Sequence, residues 1–318
     1  MAVAKAFLKD LLIRTGLLGL RLRSTRQLRI LMYHGVSPRS LTPESFEKQL
    51  AYITRHFDTY WASEIPEILE NLGSLSRPAV VLTFDDGLRN NITFAAPLLE
   101  KYGVKATYYL VSDLLDGHSM LWNHEMRCRL ALMDNSTLPS ALGPFSTSTE
   151  CRWEEVGEFV ESVKRWDNED RLGLLATLRE RVPAPDYTDW MREEFEIMSE
   201  GEARSLPSII EVGSHTRTHP LLDQLSEEAA EREIDGSRQR LEKILGKPVQ
   251  SFCYPNGQFS SKVVDIVERC YPVAVTVEQG VVRRGDAMHR LKRIIAGTNL
   301  GEFIYFLSRP PALADRME

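Results

Sequence analysis

The 318-residue chain has only four cysteines, Cys128, Cys151, Cys253 and Cys270, and no two of them stand at CxxC spacing. That excludes a disulfide-dense scaffold and a CxxC zinc or redox motif, and favours the reduced thiols of a cytosolic enzyme. No apolar run approaches the ~20 residues that a bilayer-spanning helix needs. Excess positive charge is missing as well: 39 Lys+Arg against 45 Asp+Glu leave a net charge of −6. The electrostatic footprint of a nucleic-acid binder is therefore absent. There is no internal repeat and no low-complexity tract, which excludes solenoids and disordered linkers. What is present is 43% hydrophobic content, enough for one sizeable core.

The first 27 residues stand apart. Phe7, Leu8, Leu11, Leu12, Leu18 and Leu22 share one helical stripe, flanked by Lys5, Lys9, Arg14 and Arg21. A secretory signal needs an unbroken apolar segment and a small-residue cleavage site, and here Asp10 and Arg14 interrupt the run and no A-x-A follows. The expectation is a basic amphipathic helix that either lies on an anionic membrane face or packs on its own domain. A cytoplasmic protein follows, with peripheral membrane contact through this helix as a variant.

From residue 28 onward, strand-like and helix-like segments alternate. Strands are expected at 28–33, 57–61, 79–84, 105–111, 209–213, 250–254 and 273–277, with a further strand-like segment at 289–294. Thr42-Pro43-Glu44 marks a helix start with proline at the first position, and Phe46, Leu50 and Ile53 have core-facing spacing. Helical segments are expected around 65–72, 94–102, 226–245 and 261–269. Such alternation predicts an α/β fold with a parallel sheet and crossover helices, open or closed into a barrel. Residues 114–205 break the rhythm with charged helical stretches and Trp122, Trp153, Trp166 and Trp190. They are expected to form a mostly helical insertion that either walls the substrate cleft or only adds core. The expected division is thus 1–27, then 28–113 with 206–309, and the insertion at 114–205.

Three short segments carry the chemistry. Leu82-Thr83-Phe84-Asp85-Asp86-Gly87 ends an apolar strand in two adjacent carboxylates and a glycine. Consecutive strand side chains face opposite ways, so both aspartates reach one centre only if the backbone turns there, as Gly87 permits. Two like charges so close call for a cation or a shared proton. An isolated Asp-Asp-Gly is commonly a solvated turn, but parallel α/β folds place their sites at this end of a strand. The second segment, Gly213-Ser214-His215-Thr216-Arg217-Thr218-His219-Pro220, also follows a strand. Pro220 disfavours helix at His219, so a loop wrapping both imidazoles around an ion is expected. Two histidines and an aspartate leave coordination positions for water and substrate, as catalytic zinc requires. The third segment, Phe252-Cys253-Tyr254-Pro255-Asn256-Gly257, reads by itself only as a turn.

In this order, the three segments resemble the polysaccharide deacetylase family with its NodB homology domain, a group similar to carbohydrate esterase family 4. Leu31-Met32-Tyr33-His34-Gly35-Val36 looks like one branch of it. The resemblance covers roughly residues 28–113 and 206–296. It implies a distorted, incomplete (β/α) barrel of about seven parallel strands with a divalent metal, zinc first, at its top face. It also implies a hydrolase removing an N-acyl group, acetyl first, from an amino sugar of a polysaccharide or lipid-linked saccharide. Asp85 then matches the general base, and Asp86, His215 and His219 match the metal ligands. Tyr254, Pro255 and Asn256 form the substrate and oxyanion segment, with the backbone N–H of Asn256 as donor. Asn256 stands where an aromatic is usual. The late histidine segment is matched only loosely by His289, with Ala287 where leucine is expected. His34, at the end of the first strand, is the better general acid, with a satisfied buried histidine as the alternative. His56, His118 and His124 carry no functional expectation.

The position aligned with the family's base-orienting arginine holds Phe252, so another residue must hold Asp85. Along 289–294, Arg293 shares a face with apolar Leu291 and Ile295 and so points toward a core or cleft. There an unpaired guanidinium would be costly. Arg293 is therefore expected to reach Asp85, with a structural carboxylate elsewhere as the alternative. Three further readings remain: a deformylase or small-molecule amidase of the same fold, an inactive glycan-binding protein, and a non-haem iron oxygenase using the same donor set.

Overall fold

The computed structural model describes residues 22, 26–139, 142, 144–183 and 185–308. The helix expected over 1–27 thus lies outside the described residues, apart from Leu22 and residues 26–27. Eight parallel-paired strands form the sheet: β1 (Arg29–Tyr33), β2 (Asp58–Tyr60), β3 (Ala79–Phe84), β4 (Ala106–Leu110), β5 (Ile210–Ser214), β6 (Ser251–Cys253), β7 (Val273–Gln279) and β8 (Leu291–Ile295). Their order is β1-β8-β7-β6-β5-β4-β3-β2, and β1 also pairs with β3. That last pairing, Leu31 opposite Leu82, closes seven strands into a barrel. β2 is the extra strand. It lies along residues 79–81 of β3, and β4 takes over along 82–84. Strand bounds differ from the sequence expectation by a residue or two, the usual uncertainty of element ends.

Period-two alternation sorts the strand side chains into two layers. Leu28, Ile30, Ala79, Val81, Val275 and Leu291 fill the barrel interior, and Ile65, Ile68 and Leu69 of α2 (Ile65–Glu70) join that cluster at the strands' N-terminal ends. Leu31, Tyr33, Leu82, Phe84, Tyr108 and Ile294 face outward against the helices. Among these helices, α1 (Pro43–His56) buries Phe46, Leu50 and Ile53 and is capped by Thr42, whose side chain accepts from Ser45 N. α3 (Ala96–Tyr102) follows β3. α9 (Glu227–Leu245) and α10 (Ser261–Cys270) start at Ser226 and Ser260, each accepting a backbone N–H into the first turn. α11 (Leu300–Ser308) follows β8.

Between β4 and β5 lie α4 (Trp122–Leu132), α5 (Thr149–Val163), α6 (Asn168–Arg181), α7 (Asp189–Phe195) and α8 (Glu200–Arg204). Trp122, Met126, Leu130, Val156, Val160, Leu175 and Leu178 give α4, α5 and α6 an apolar cluster of their own. Leu121, Ile197 and Met198 belong instead to the main core, which fixes this segment onto the barrel. All four cysteines are unpaired. No helix among the described residues is long and apolar enough to cross a membrane.

Candidate active site

The interior layer turns polar at the strands' C-terminal ends. Along β3 and just beyond it, the inward positions run Ala79, Val81, Thr83, Asp85; along β8 they run Leu291, Arg293. Asp85 extends the β1–β3 ladder, its N–H donating to Tyr33 O at 3.0 Å. The Arg293 guanidinium meets it edge on. Nη1 donates to Asp85 Oδ1 and Nη2 to Oδ2, each at 2.7 Å. Its remaining donors reach Thr276 O at 2.7 Å, Thr83 Oγ1 at 3.0 Å and Cys253 Sγ at 3.2 Å. Arg293 is 0% exposed and Asp85 is 3% exposed, so the pair is fully desolvated. Burial alone would raise the Asp85 carboxyl; the charge and hydrogen bonds of Arg293 outweigh it and hold the group below its ordinary range.

Phe252 is corrected by this arrangement. On β6 the side chain that faces Asp85 is Cys253, which lies with the barrel interior. Phe252 points the opposite way, packed on Tyr254 and Tyr271 at 5.2 Å each. The absence of arginine at Phe252 thus removes nothing from the site.

Asp86 leaves the strand by a backbone reversal. Its φ is 74°, and Gly87 follows at 72°. A Cβ on Gly87 would stand 3.0 Å from Leu110 Cδ2, so both the space and the dihedral call for glycine. The reversal brings the carboxylate to the two imidazoles. His215 Nε2 and His219 Nε2 lie 3.5 Å and 3.6 Å from Asp86 Oδ1. One ligand atom from each of the three residues falls within 4.8 Å of the others. His215 is oriented by its Nδ1, 2.7 Å from Cys253 O, which leaves Nε2 for the centre. His219 is at φ 61°, with Thr216 at 69° and Asn256 at 51°. All four described non-glycine residues with positive φ therefore belong to the three motif segments, as expected where backbone strain serves function.

The donor set fits a divalent metal. Burial raises the Asp86 carboxyl, but the His215 hydrogen bond and the His34, His219 and His215 charges bring it well below its ordinary range. Burial would lower His215, but Cys253, Asp86 and Asp85 raise it. A cluster that draws a proton onto a buried imidazole is one in which a metal cation would replace that proton. Burial first, then His215, push His219 down to about 3, so this imidazole is neutral at pH 7.

The cleft above this centre encloses about 380 Å³ and is lined by His34, Asp85, Asp86, His215, His219, Tyr254 and Asn256. His34 is exposed and faces it from the end of β1, while Asn91 Nδ2 donates to its carbonyl at 2.7 Å. Tyr254 lines the cleft, but its hydroxyl donates to His289 O at 3.0 Å. Pro255 is buried in the turn. His289 lies outside the cleft, its Nε2 2.8 Å from Tyr271 O and its Nδ1 3.5 Å from Glu268.

His124 is the residue that sequence reasoning missed. It sits on α4 and lines this cleft, with Asn123, Glu161 and Lys164 beside it. It also borders a second hollow of about 300 Å³, lined by Tyr33, Leu41, Leu88, Phe195 and Ala296, that opens on the other side of His34 and Asp86. Its ring lies 4.6 Å from that of Phe195. Burial pushes its imidazole down to about 4, so it is neutral at pH 7.

Comparison with known proteins gives the family and the fold. The family described as polysaccharide deacetylase matches residues 73–160 and 199–272. The chain belongs to that family, whose members are hydrolases acting on C–N bonds of acetylated sugars. A Bacillus subtilis (strain 168) protein, YxkH, which carries a polysaccharide deacetylase name, is 21% identical over 288 residues, covering 87% of this chain and 76% of the relative. The Streptococcus pyogenes deacetylase PplD, solved in complex with acetate, superposes with a TM-score of 0.61 at 19% identity, covering 89% of this chain and 99% of that one. IcaB from Ammonifex degensii gives 0.59 at 17% identity, covering 89% and 97%. At these identities the two structures establish the fold.

Proposed function

We propose that this chain is a metal-dependent de-N-acylase that removes an acyl group, acetyl first, from an amino sugar of a polysaccharide or lipid-linked saccharide. The observation that carries the reading is a desolvated Asp85 held ionised by Arg293 directly beside the Asp86–His215–His219 donor set. Those three residues would hold the metal, zinc first, which when bound supplies Lewis acidity and a more acidic water. Asp85, fixed in orientation by Arg293, takes the proton of the attacking water. The backbone N–H of Asn256, on its left-handed turn, donates to the oxyanion that develops on the amide oxygen. His34 delivers a proton to the departing amine, without which an amide C–N bond breaks poorly. The inserted helices wall one side of the cleft through Asn123, His124, Glu161 and Lys164, and so take part in choosing the glycan.

An inactive glycan-binding protein is favoured where no cation stands against Asp85, and the guanidinium of Arg293 speaks against that reading. A hydrolase is also favoured over an iron oxygenase by Asp85, a positioned base that oxygen chemistry does not need. The decisive experiment is acetate and formate release from a panel of N-acylated saccharides, with and without added zinc. Release of neither under both conditions, from every saccharide, would overturn the proposal.

A further inference from the structure

A second pocket lies outside the catalytic cleft, where the inserted helices meet the loop that carries His215 and His219. It encloses about 470 Å³ between Trp122 of α4, Arg171 and Leu175 of α6, and Thr218 and Pro220 on either side of His219. Arg171 is its unusual member. The residue is 1% exposed, yet its hydrogen bonds go only to neutral groups. Nη1 donates to Gln224 Oε1 at 3.2 Å and Nη2 to Asn168 Oδ1 at 2.6 Å, while Nε has no partner. The guanidinium carbon stands 4.7 Å from the centroid of the Trp122 ring. A buried cation is costly unless both acceptors and a counter-charge meet it. The chain supplies the acceptors; Asp223 acts on Arg171 only through space.

The other charges of the pocket do not fill that gap. Arg179 is taken by Glu125 at 2.6 Å, and Arg217 by Asp113 at 2.7 Å. Glu233, the carboxylate in the lining, accepts from Arg217 N, Thr218 N and Thr218 Oγ1 at 2.8–2.9 Å. Arg232, also in the lining, has no hydrogen bond or ion pair among the described residues. Arg171 and Arg232 thus have no carboxylate at ion-pair distance, Asp223 and Glu228 acting on them only through space, and the Nε of buried Arg171 has no partner; such a pair of guanidiniums suits a compact dianion.

We propose that this pocket binds a phosphate-type oxyanion, with Arg171 as its principal contact and Arg232 as its second cation. The apolar lining from Met120, Leu175 and Leu225 would also receive an alkyl group esterified to that phosphate. The bound anion lies against the metal-ligand loop, because Trp122 Nε1 donates to His219 O at 3.2 Å. The pocket is independent of the catalytic reading, since none of its residues belongs to the donor set or carries Asp85.

Calorimetric titration of the full chain with inorganic phosphate and with octyl phosphate tests this. Both should bind. Equal affinity identifies free phosphate as the source of the anion; tighter octyl phosphate identifies an apolar phosphate ester. Arg171→Gln should weaken binding about tenfold or more, the worth of a charge-assisted hydrogen bond. Leu172, also in the lining, is 49% exposed, so Leu172→Glu adds a repelling carboxylate without disturbing the core and covers the case in which the arginine variant misfolds. Circular dichroism reports folding of each variant. Failure of either phosphate to bind, or binding unchanged in Leu172→Glu, overturns the proposal. So does binding that is lost in His215→Ala, because the anion would then sit at the metal centre.

Discussion

The guanidinium of Arg293 grips both carboxylate oxygens of Asp85 at 2.7 Å across 208 positions of chain. This bidentate contact fixes both the direction and the charge of the proposed base. Arg293→Met leaves a buried carboxylate without its partner, a change that costs about 3–5 kcal/mol in comparable pairs.

The pH dependence follows in sign. The folded-state value of Asp85 is depressed, so its contribution to stability is present above the ordinary carboxylate pKa of about 4 and is lost as pH falls through the lower, folded value. Activity should keep an acid limb below about pH 4 for the same reason. Without Arg293, burial dominates and the limb moves to higher pH. Profiles of kcat/KM for wild type and Arg293→Met check this; identical profiles at full activity would remove Arg293 from the mechanism.

His215→Ala should abolish stoichiometric metal, because it deletes one of three donors and the contact to Cys253 O that orients it. Elemental analysis of purified wild type and variant gives the comparison directly. Equal metal content in the two proteins would show that the ion, if bound, sits elsewhere.

His34→Ala should lower kcat by roughly 10²–10⁴, the range for loss of a general acid, with metal content unchanged. The two readouts together separate proton delivery from ligand loss. A variant that retains wild-type kcat moves the role to another group.

His124 borders both hollows at the point where they meet beside His34 and Asp86. As a neutral imidazole it suits hydrogen bonding to a sugar hydroxyl better than proton transfer. His124→Ala is expected to raise KM about tenfold, the worth of one hydrogen bond left unmade, with a smaller effect on kcat. Steady-state kinetics on an oligosaccharide substrate would decide; a fall in kcat alone contradicts the assignment to binding.

The barrel and most of its site were legible because they depend on local rules. Apolar strands ending in Asp85 and in His215 declare both their burial and the face they serve. Alternation with Leu291 and Ile295 turned Arg293 toward a core or cleft, and the missing base-orienting arginine of the resembling family supplied Asp85 as its target. The same rule, applied to Ser251-Phe252-Cys253, would have identified Cys253 as the inward residue; a family alignment directed attention one position away, where period two reverses the direction. His124 was not legible. Its place in the cleft depends on how α4 packs over the barrel, and its sequence neighbours Asn123 and Glu125 announce nothing. The commitment of the Tyr254 hydroxyl to His289 O was hidden likewise, since it joins segments 35 positions apart.

Closure of the barrel by β8 also sets an order of events on the ribosome. A chain emerging from its N-terminus exposes β3, with Asp85 at its end, long before β8 exists. At ~5–20 residues per second, about 10–40 s separate synthesis of the carboxylate from synthesis of the guanidinium that will neutralise it. During that interval β1 and β3 can pair, but β8 is not there to join β1 to β7. The growing polypeptide holds a carboxylate that cannot yet be buried at low cost, so Asp85 is sealed into the barrel only once β8 has emerged.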